Sequence, residues 1–361
     1  MAPKANDFVV QSSSPRSASP TTEHAGAAAT SATQSKAAAS TTSTNPAAAQ
    51  SPTVVVNDRI SLFELARATA LAIPIVCILN YYGLFASTTP YFYVSCYLVS
   101  LVMTPAVNTL SEYILPVAMV LWQHFYAKDL NVTYFQMGCF MPIVLFLIGV
   151  NMSVCLHRYF SHGAFQTTRA FQFVIGFMAC LAYQSGPLWW AAKHIRHHHH
   201  CDNELDPHSV TQDGYFYAFV GWTMNPANLA ERDYPYLNSR KKTLMVPEML
   251  FLDKNYILPV VMVLTIMEAN FGRTATLIML YMPMLVCRLI TLLFNVEYHP
   301  ADDPKRCKSV NDPRYLAVIV GESEHDDHHK VPNRSRRLDL DLAWWVSLSW
   351  MEAVGLVWNC R

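Results

Sequence analysis

The stretch from His194 to His208 reads His-Ile-Arg-His-His-His-His-Cys-Asp-Asn-Glu-Leu-Asp-Pro-His, and its first seven residues hold five of the chain's 14 histidines. Residues three and four apart share a helix face. His194, His197 and His198 therefore fall within an arc of about 100°, and His199 and His200 fall outside it. Three imidazoles aimed one way can bind a metal if the chain supplies further ligands. His325, His328 and His329 repeat the same spacing. His157 and His162 add a pair five apart, splayed by about 140° on a regular helix, as expected at a fraying helix end with the two rings facing different metals. His299 follows Asn295 by four, on the same helical face.

The elements that must position these histidines are apolar. Hydrophobic residues make up 52% of the 361 and charged residues 14%, against about 25% charged in soluble domains. Long apolar runs make this a polytopic all-α membrane protein. The formal net charge of zero gives no reason to expect a nucleic-acid partner. Nine cysteines without a Cys-x-x-Cys read as reduced thiols rather than a disulfide framework. Cys201 borders the histidine cluster and is a minor candidate ligand.

Three regions follow. Residues 1–56 are Ala, Ser, Thr and Pro and read as a disordered tail; an organelle transit peptide is the alternative. Residues 57–110 form extra N-terminal membrane segments, with apolar runs at about 62–84 and 91–108. Residues 111–361 carry the chemistry, with spans at about 112–126, 135–156, 247–270 and 274–296. The apolar run at about 170–190 reads as a buried or interfacial helix. The segment 199–246 is rich in Arg and Lys, which marks the cytosolic side. The expected architecture is two transmembrane hairpins, an extra N-terminal hairpin, and a cytosolic helical cap holding the histidines. Trp344, Trp345, Trp350 and Trp358 suit a membrane interface. A site at the membrane surface, fed from between helices, implies a lipidic substrate.

The ordered boxes His157-x4-His162, His194-x2-His197-His198, Asn295-x3-His299 and His325-x2-His328-His329 resemble those of the membrane fatty acyl desaturases, in particular the acyl-CoA (Δ9-type) branch. The flanks agree: Gly186-Pro187-Leu188-Trp189-Trp190, Asp206-Pro207-His208, Gly221-Trp222, Gly321-Glu322 and Gly355-Leu356-Val357-Trp358. The resemblance implies a di-iron site with O2 as co-substrate. One iron would take His157, His194, His198 and His325, with Asn295 through a water. The other would take His162, His197, His299, His328 and His329. It also implies that Gln184, Trp190 and Thr291 line the bend of the acyl chain. Iron with O2 and two electrons can oxidise an unactivated alkyl chain, and neutral imidazoles suit iron. A bent, dry tunnel then selects the C–H bonds by geometry. Leu145 and Gly149 are candidates for setting its depth.

No His-Pro-Gly-Gly haem motif occurs, so the electrons come from a separate donor, by resemblance cytochrome b5 or a ferredoxin. The basic run Arg232 to Lys242 is a candidate docking patch, or simply a solvated loop. Three departures stand out. The last box carries Glu324, Asp326 and Asp327; the Asn box carries Glu297; Ala192-Lys193 replaces the family's basic-acidic pair. The acids read either as a solvated face or as hydrogen-bond partners of the ligands. The replaced pair leaves lipid-linked and carrier-linked acyl groups open beside acyl-CoA. The leading reading is an O2-dependent desaturase acting on a long-chain acyl group, with membrane lipid around it, in the endoplasmic reticulum with a cytosolic site; a plastid membrane is the alternative compartment. A di-iron hydroxylase on the same scaffold is the runner-up, followed by a histidine-rich metal transporter and an inactive relative.

Overall fold

The computed structural model describes residues 91–314, 317–337 and 340–361. The tail over 1–56 and the apolar run at 62–84 lie outside the described residues, as does all of the 57–110 segment before Tyr91.

The helices start where the local chemistry lets them. Helix α1 is Tyr91–Ser100. Helix α2, Pro105–Trp122, has Pro105 in its first turn and Thr104 as its cap, so the span expected at 112–126 begins earlier. Helix α3, Tyr134–Phe146, opens on a capping box, in which Thr133 and Gln136 each satisfy the other's backbone N–H. It runs without a break into a π-helical stretch, Leu147–Ser161, that is buried throughout.

The expected apolar run at 170–190 divides in two. Helix α4 is Arg169–Cys180. A turn with Tyr183 and Ser185 at positive φ then leads into helix α5, Pro187–His200. The division has a physical cause. Asp253, on helix α6 (Pro247–Lys254), accepts the backbone N–H groups of Leu188 and Trp189, each at 2.8 Å. A carboxylate at a helix N-terminus satisfies orphan donors and opposes the dipole. A side chain at Gly186 would collide with Asp253.

Helix α7, Ile257–Thr276, is broken at Gly272, where φ is +77°, between the two late spans expected from the sequence. Helix α8 is Met282–Glu297. The helical stretches Tyr134–Ser161 and Ile257–Glu297, the second bent at Gly272, are long and apolar enough to cross a membrane. Arg288, inside the second, is buried and pairs with Glu112 of α2 and with the carbonyl of Tyr183. A buried charge is tolerated when it is paired in this way.

The C-terminal part folds back on the π-helical stretch. Arg158 is fully buried, forks onto both oxygens of Asp341 at 2.9 Å, and reaches the carbonyls of Val320 and Ser335. Strand β1 (Gln166–Thr167) pairs antiparallel with β2 (Val357–Trp358), Gln166 opposite Trp358. Apart from this pair and one isolated bridge, the described residues are helical or irregular. Trp345 and Trp350 are exposed. The expectation of reduced thiols fails at one place, a disulfide between Cys201 and Cys307. Six other described cysteines are free thiols.

Candidate metal centre

Nine histidines from four segments converge into two groups whose ring nitrogens could each hold a metal ion. The first is His157, His162, His194, His198 and His328; the second is His197, His299, His325 and His329. This division differs from the one the resemblance implied. His162 and His328 stand with His157, and His325 stands with His299.

The local backbone explains the first change. His157 lies in the π-helical stretch, where hydrogen bonds run i→i+5, and the His162 N–H bonds the His157 carbonyl at 3.2 Å. Residues five apart then return to one side instead of splaying, and the two ring centres are 4.9 Å apart. Helix α5 supplies His194 and His198 to the first group and His197 to the second, so it forms the wall between them. The short helix α9, His325–Lys330, likewise gives His328 to the first group and His325 and His329 to the second. His199 and His200 stay outside, with His200 Nε2 2.9 Å from the Tyr236 hydroxyl.

Within the groups the Nε2 atoms face one another. His157 and His328 are 2.8 Å apart, His194 and His162 3.0 Å, His198 and His194 3.1 Å. In the second group His299 and His325 are 3.0 Å apart, His325 and His329 3.2 Å, and His197 and His299 3.3 Å. The outer nitrogens are held by acids. Glu322 Oε2 lies 3.2 Å from His157 Nδ1, Asp206 Oδ2 2.9 Å from His197 Nδ1, and Asp202 Oδ2 3.0 Å from His299 Nδ1.

These acids are ionised. Burial pushes the Asp206 carboxyl up, but His197 and His208 draw it well below the ordinary range. Glu322 is opposed by burial and drawn down by His157 and two arginines. An ionised carboxylate only accepts, so each of these Nδ1 atoms carries its proton. In a neutral ring Nε2 is then a bare lone pair. His197 and His299 thus aim two lone pairs at each other across 3.3 Å, an arrangement that a cation between them satisfies. The donor set, neutral imidazoles backed by carboxylates, fits iron.

The first group differs at one member. Arg337 Nη2 lies 2.9 Å from His328 Nδ1. A guanidinium only donates, so this Nδ1 accepts and the proton sits on Nε2, where it is donated to His157. His328 becomes a ligand through Nε2 only by releasing that proton.

Two further clusters lie beside the second group. Asp206 bridges His197 and His208, and the His208 ring stacks on His197 at 4.6 Å. Burial and His197 pull the His208 imidazole down to about 3, so it is neutral. Cys201, Asp202 and Cys307 gather at His299, with both cysteines tied up in the disulfide.

An apolar cavity of about 160 Å³ opens on both groups. His157 and His194 of the first and His325 of the second line it, with Trp190, Thr291 and Asn295. Trp190 stacks on His194 at 4.9 Å and 11°, and Thr291 turns its hydroxyl hydrogen to the Cys287 carbonyl. Gln184 is buried, donates to the Arg288 carbonyl at 3.4 Å, and is not among the lining residues. The π-helical stretch contributes Ile148 and Met152 to the lining, whereas its Gly149, and Leu145 of α3, are not among the lining residues; Gly149 faces Ala343 and Val320.

Of the unexpected acids, Asp326 and Asp327 turn outward to Lys305, Lys330 and Asn311, so the solvated-face reading describes them. Glu297 lines the cavity and accepts from the Tyr215 hydroxyl at 3.0 Å. The basic run is partly turned inward: Arg240 donates to the carbonyls of Tyr159 and Phe160, and Arg232 pairs with Asp253. Lys241 and Lys242 stay exposed. Asp206 and Glu322 stood in the sequence only as flanking motif residues. Asp202 and Arg337 were missed; the one available signal was that Asp202 lies two residues past the histidine run.

The profile of the family described as fatty acid desaturase matches residues 136–352. The chain is 23% identical over 247 residues to a probable chloroplastic lipid desaturase of Arabidopsis thaliana, covering 63% of this chain and 65% of that protein's length. It is 24% identical over 244 residues to the sn-1 stearoyl-lipid 9-desaturase of Anabaena variabilis, covering 64% of this chain and 86% of the relative. A probable acyl-CoA desaturase of Schizosaccharomyces pombe is 26% identical over 209 residues, 52% of this chain and 40% of the relative.

Proposed function

Since this chain belongs to the fatty acid desaturase family, we propose that it is an O2-dependent di-iron desaturase that places a cis double bond in a long-chain acyl group, with two electrons from a separate donor. The observation that carries this reading is the apolar cavity bounded by histidines of both groups. An alkyl chain inside it lies against both candidate metal positions at once.

Iron bound at the two groups, supplied with O2 and electrons, would provide the oxidant for removing two hydrogens. The chain's own residues do the rest. His157, His162, His194, His198 and His328 would hold one iron, and His197, His299, His325 and His329 the other, with Asn295 beside them acting through a water. Glu322, Asp206 and Asp202 keep three of these rings oriented and their Nε2 atoms free of protons. Ile148, Met152, Ile290 and Phe294 exclude water from the cavity. Trp190 and Thr291 set the bend that presents one stretch of the chain, and Gln184 supports the Arg288 carbonyl behind it.

The two apolar stretches fit an integral membrane protein, with hairpins that put the histidines on the cytosolic face of the endoplasmic reticulum or of a plastid membrane. The donor is cytochrome b5 or a ferredoxin. The acyl carrier is acyl-CoA, a membrane lipid or an acyl-carrier protein, classes that are all named among the relatives. Two residues favour the lipid. Lys193 is buried against Asp233, and Glu297 puts a carboxylate in the cavity wall, where the phosphates of CoA would need cations.

The test is fatty-acid analysis of a desaturase-deficient yeast expressing the chain, with lipid and acyl-CoA fractions separated. New monounsaturated acids that vanish in His197→Ala are expected. Hydroxylated acids in their place would overturn the desaturase reading in favour of a hydroxylase. Trp190→Ala should move the double bond or slow its formation with iron content unchanged; a variant that only loses iron would remove Trp190 from the bend.

A further inference from the structure

The disulfide between Cys201 and Cys307 has no part in the function proposed above, yet it touches the second histidine group twice. Cys201 Sγ is 3.7 Å from His299 Nδ1, and Cys307 Sγ is 3.6 Å from His329 Nδ1. Each sulfur therefore backs the outer edge of a ring whose Nε2 faces the candidate metal position. The neighbouring residues repeat the contact: Asp202 holds His299 at 3.0 Å, and the Lys308 N–H donates to that same Asp202 oxygen at 2.8 Å. Residues 201–202, just past helix α5, and 307–308, in an irregular segment, thus close over the group through one covalent bond and one hydrogen bond.

The two cysteines are 106 residues apart with Cα atoms separated by 5.1 Å, within the ordinary range for a disulfide. The other six described cysteines are free thiols, so the pair is no part of a stabilising framework. Among these residues it is the only disulfide, and it sits at the metal centre. Cys201 is buried, whereas Cys307 is partly open in a segment whose Ala301, Asp302, Lys305 and Arg306 are exposed. Cys307 is thus the more open of the two to a reductant. On the cytosolic face expected for these boxes, glutathione and dithiol proteins keep most thiols reduced, and a disulfide there is characteristically redox-sensing or transient.

We propose that Cys201–Cys307 is a reducible clamp on the His197/His299/His325/His329 group, and that its reduction by a protein dithiol lowers that group's hold on metal while leaving the other group unchanged. The proposal rests on the two-metal reading above. The exchange balances: one thiolate of the dithiol attacks Cys307 Sγ, the Cys201 sulfur leaves, and the second thiol of the donor then displaces Cys307. Two electrons and two protons pass to the chain, and the donor becomes a disulfide. With the covalent bond gone, the segment carrying Cys307 and Lys308 is held at Asp202 by a hydrogen bond alone, and the wall behind His299 and His329 loosens. The first group takes its outer contacts from Glu322 and Arg337, which the exchange does not touch.

The experiment uses the full chain, purified under thiol-trapping conditions and loaded anaerobically with ferrous iron. Peptide mapping reads the state of Cys201 and Cys307, and a colorimetric ferrous chelator reads iron release with and without a phosphine reductant. The oxidised chain should hold two irons. Reduction should speed the release of one of them by about tenfold or more, the scale of outer contacts to metal ligands, and leave the other in place. The Cys201→Ser/Cys307→Ser double variant should show the fast release without reductant, while Cys139→Ser behaves as the parent. Retention of the first group's iron shows that the variant has folded; if it has not, the reductant arm on the parent chain decides. Unlinked thiols in the trapped protein, or two irons released at the same rate in both states, would overturn the clamp and leave the two-metal reading standing. A loaded oxidised chain with no more than one iron would overturn both.

Discussion

The two histidine groups share helices α5 and α9 but differ in what stands behind their rings. Behind the second group are Asp202, Asp206 and a disulfide. Behind the first are Glu322 and Arg337. The carboxylates force protons onto the outer nitrogens and leave bare lone pairs facing inward, whereas the arginine does the reverse to His328. Burial lowers the His197 imidazole, but Asp206 more than restores it and the net direction is up. At His328 burial, His157 and Arg337 all act downward, and the ring is held well below its ordinary value. The second group is set for a cation in advance. The first holds an internal hydrogen bond, His328 to His157, that the metal must replace.

The largest expected effect breaks the second group outright. His197→Ala removes an inward lone pair and leaves Asp206 with one imidazole partner fewer. Product should fall below detection, and iron should drop from two per chain to one, read by metal analysis of the purified protein. Loss of both irons would show that the groups are not independent sites.

Acid should act with opposite sign on His197 and on the other histidines of both groups, for burial lowers His299, His325 and His329 of the second group as it does the members of the first. His194, His198 and His328 of the first group are held well below 6.5, by burial first and then by neighbouring imidazoles. In the unfolded chain they titrate near 6.5. Below that value the unfolded state binds protons that the folded state refuses, so stability is full above about pH 6.5 and falls as pH falls, by up to about 1.4 kcal/mol per pH unit for each such histidine. His197, raised, contributes stability that is present below its unfolded value and is lost as pH climbs through its folded one. Thermal melts of the metal-free protein between pH 7.5 and 5.5 should therefore show a falling midpoint, and His198→Gln should flatten the fall where His197→Gln does not. A midpoint that rises toward acid would contradict the assignment.

The sequence carried much of this site but not its internal order. Three-and-four spacing put His194, His197 and His198 on one face, and a real helix, α5, does the same. The same rule failed for His157 and His162, because it assumes α-helical pitch and the backbone there is π-helical. That local winding depends on packing that no spacing reveals, and it moved His162 into the first group. The late spans were legible as apolar runs, and Gly272 marks the break between them. The run at 170–190 looked continuous because composition does not show a carboxylate 65 residues away capping α5. The Cys201–Cys307 pair was invisible for a similar reason: 106 residues separate its members, and only the fold brings them to 5.1 Å. The acids nearest the histidines in sequence, Asp326 and Asp327, turned out to face Lys305 and Lys330, while the acids that hold the rings come from other segments or from the far side of a turn.

The smallest expected effects sharpen the contrast most, because they change what stands behind the rings and leave every histidine in place. Asp206→Asn keeps the shape but replaces an obligate acceptor with a group that can also donate, so the His197 tautomer is no longer enforced. Metal affinity of the second group should fall by about ten- to a hundredfold, with the first group unchanged. Arg337→Gln makes the mirror test. A glutamine oxygen can accept from His328 Nδ1–H, which frees Nε2 of its proton, so the loss of the charge should be offset by a ligand that no longer has to release one. Iron affinity of the first group should then shift by less than about threefold, within the spread of single hydrogen-bond contributions. Competitive chelator titration of both variants at pH 7 measures the two numbers side by side. If Arg337→Gln weakens iron binding as much as Asp206→Asn does, Arg337 is needed to hold His328 in place, and the contrast between a group set in advance and one that must rearrange does not hold.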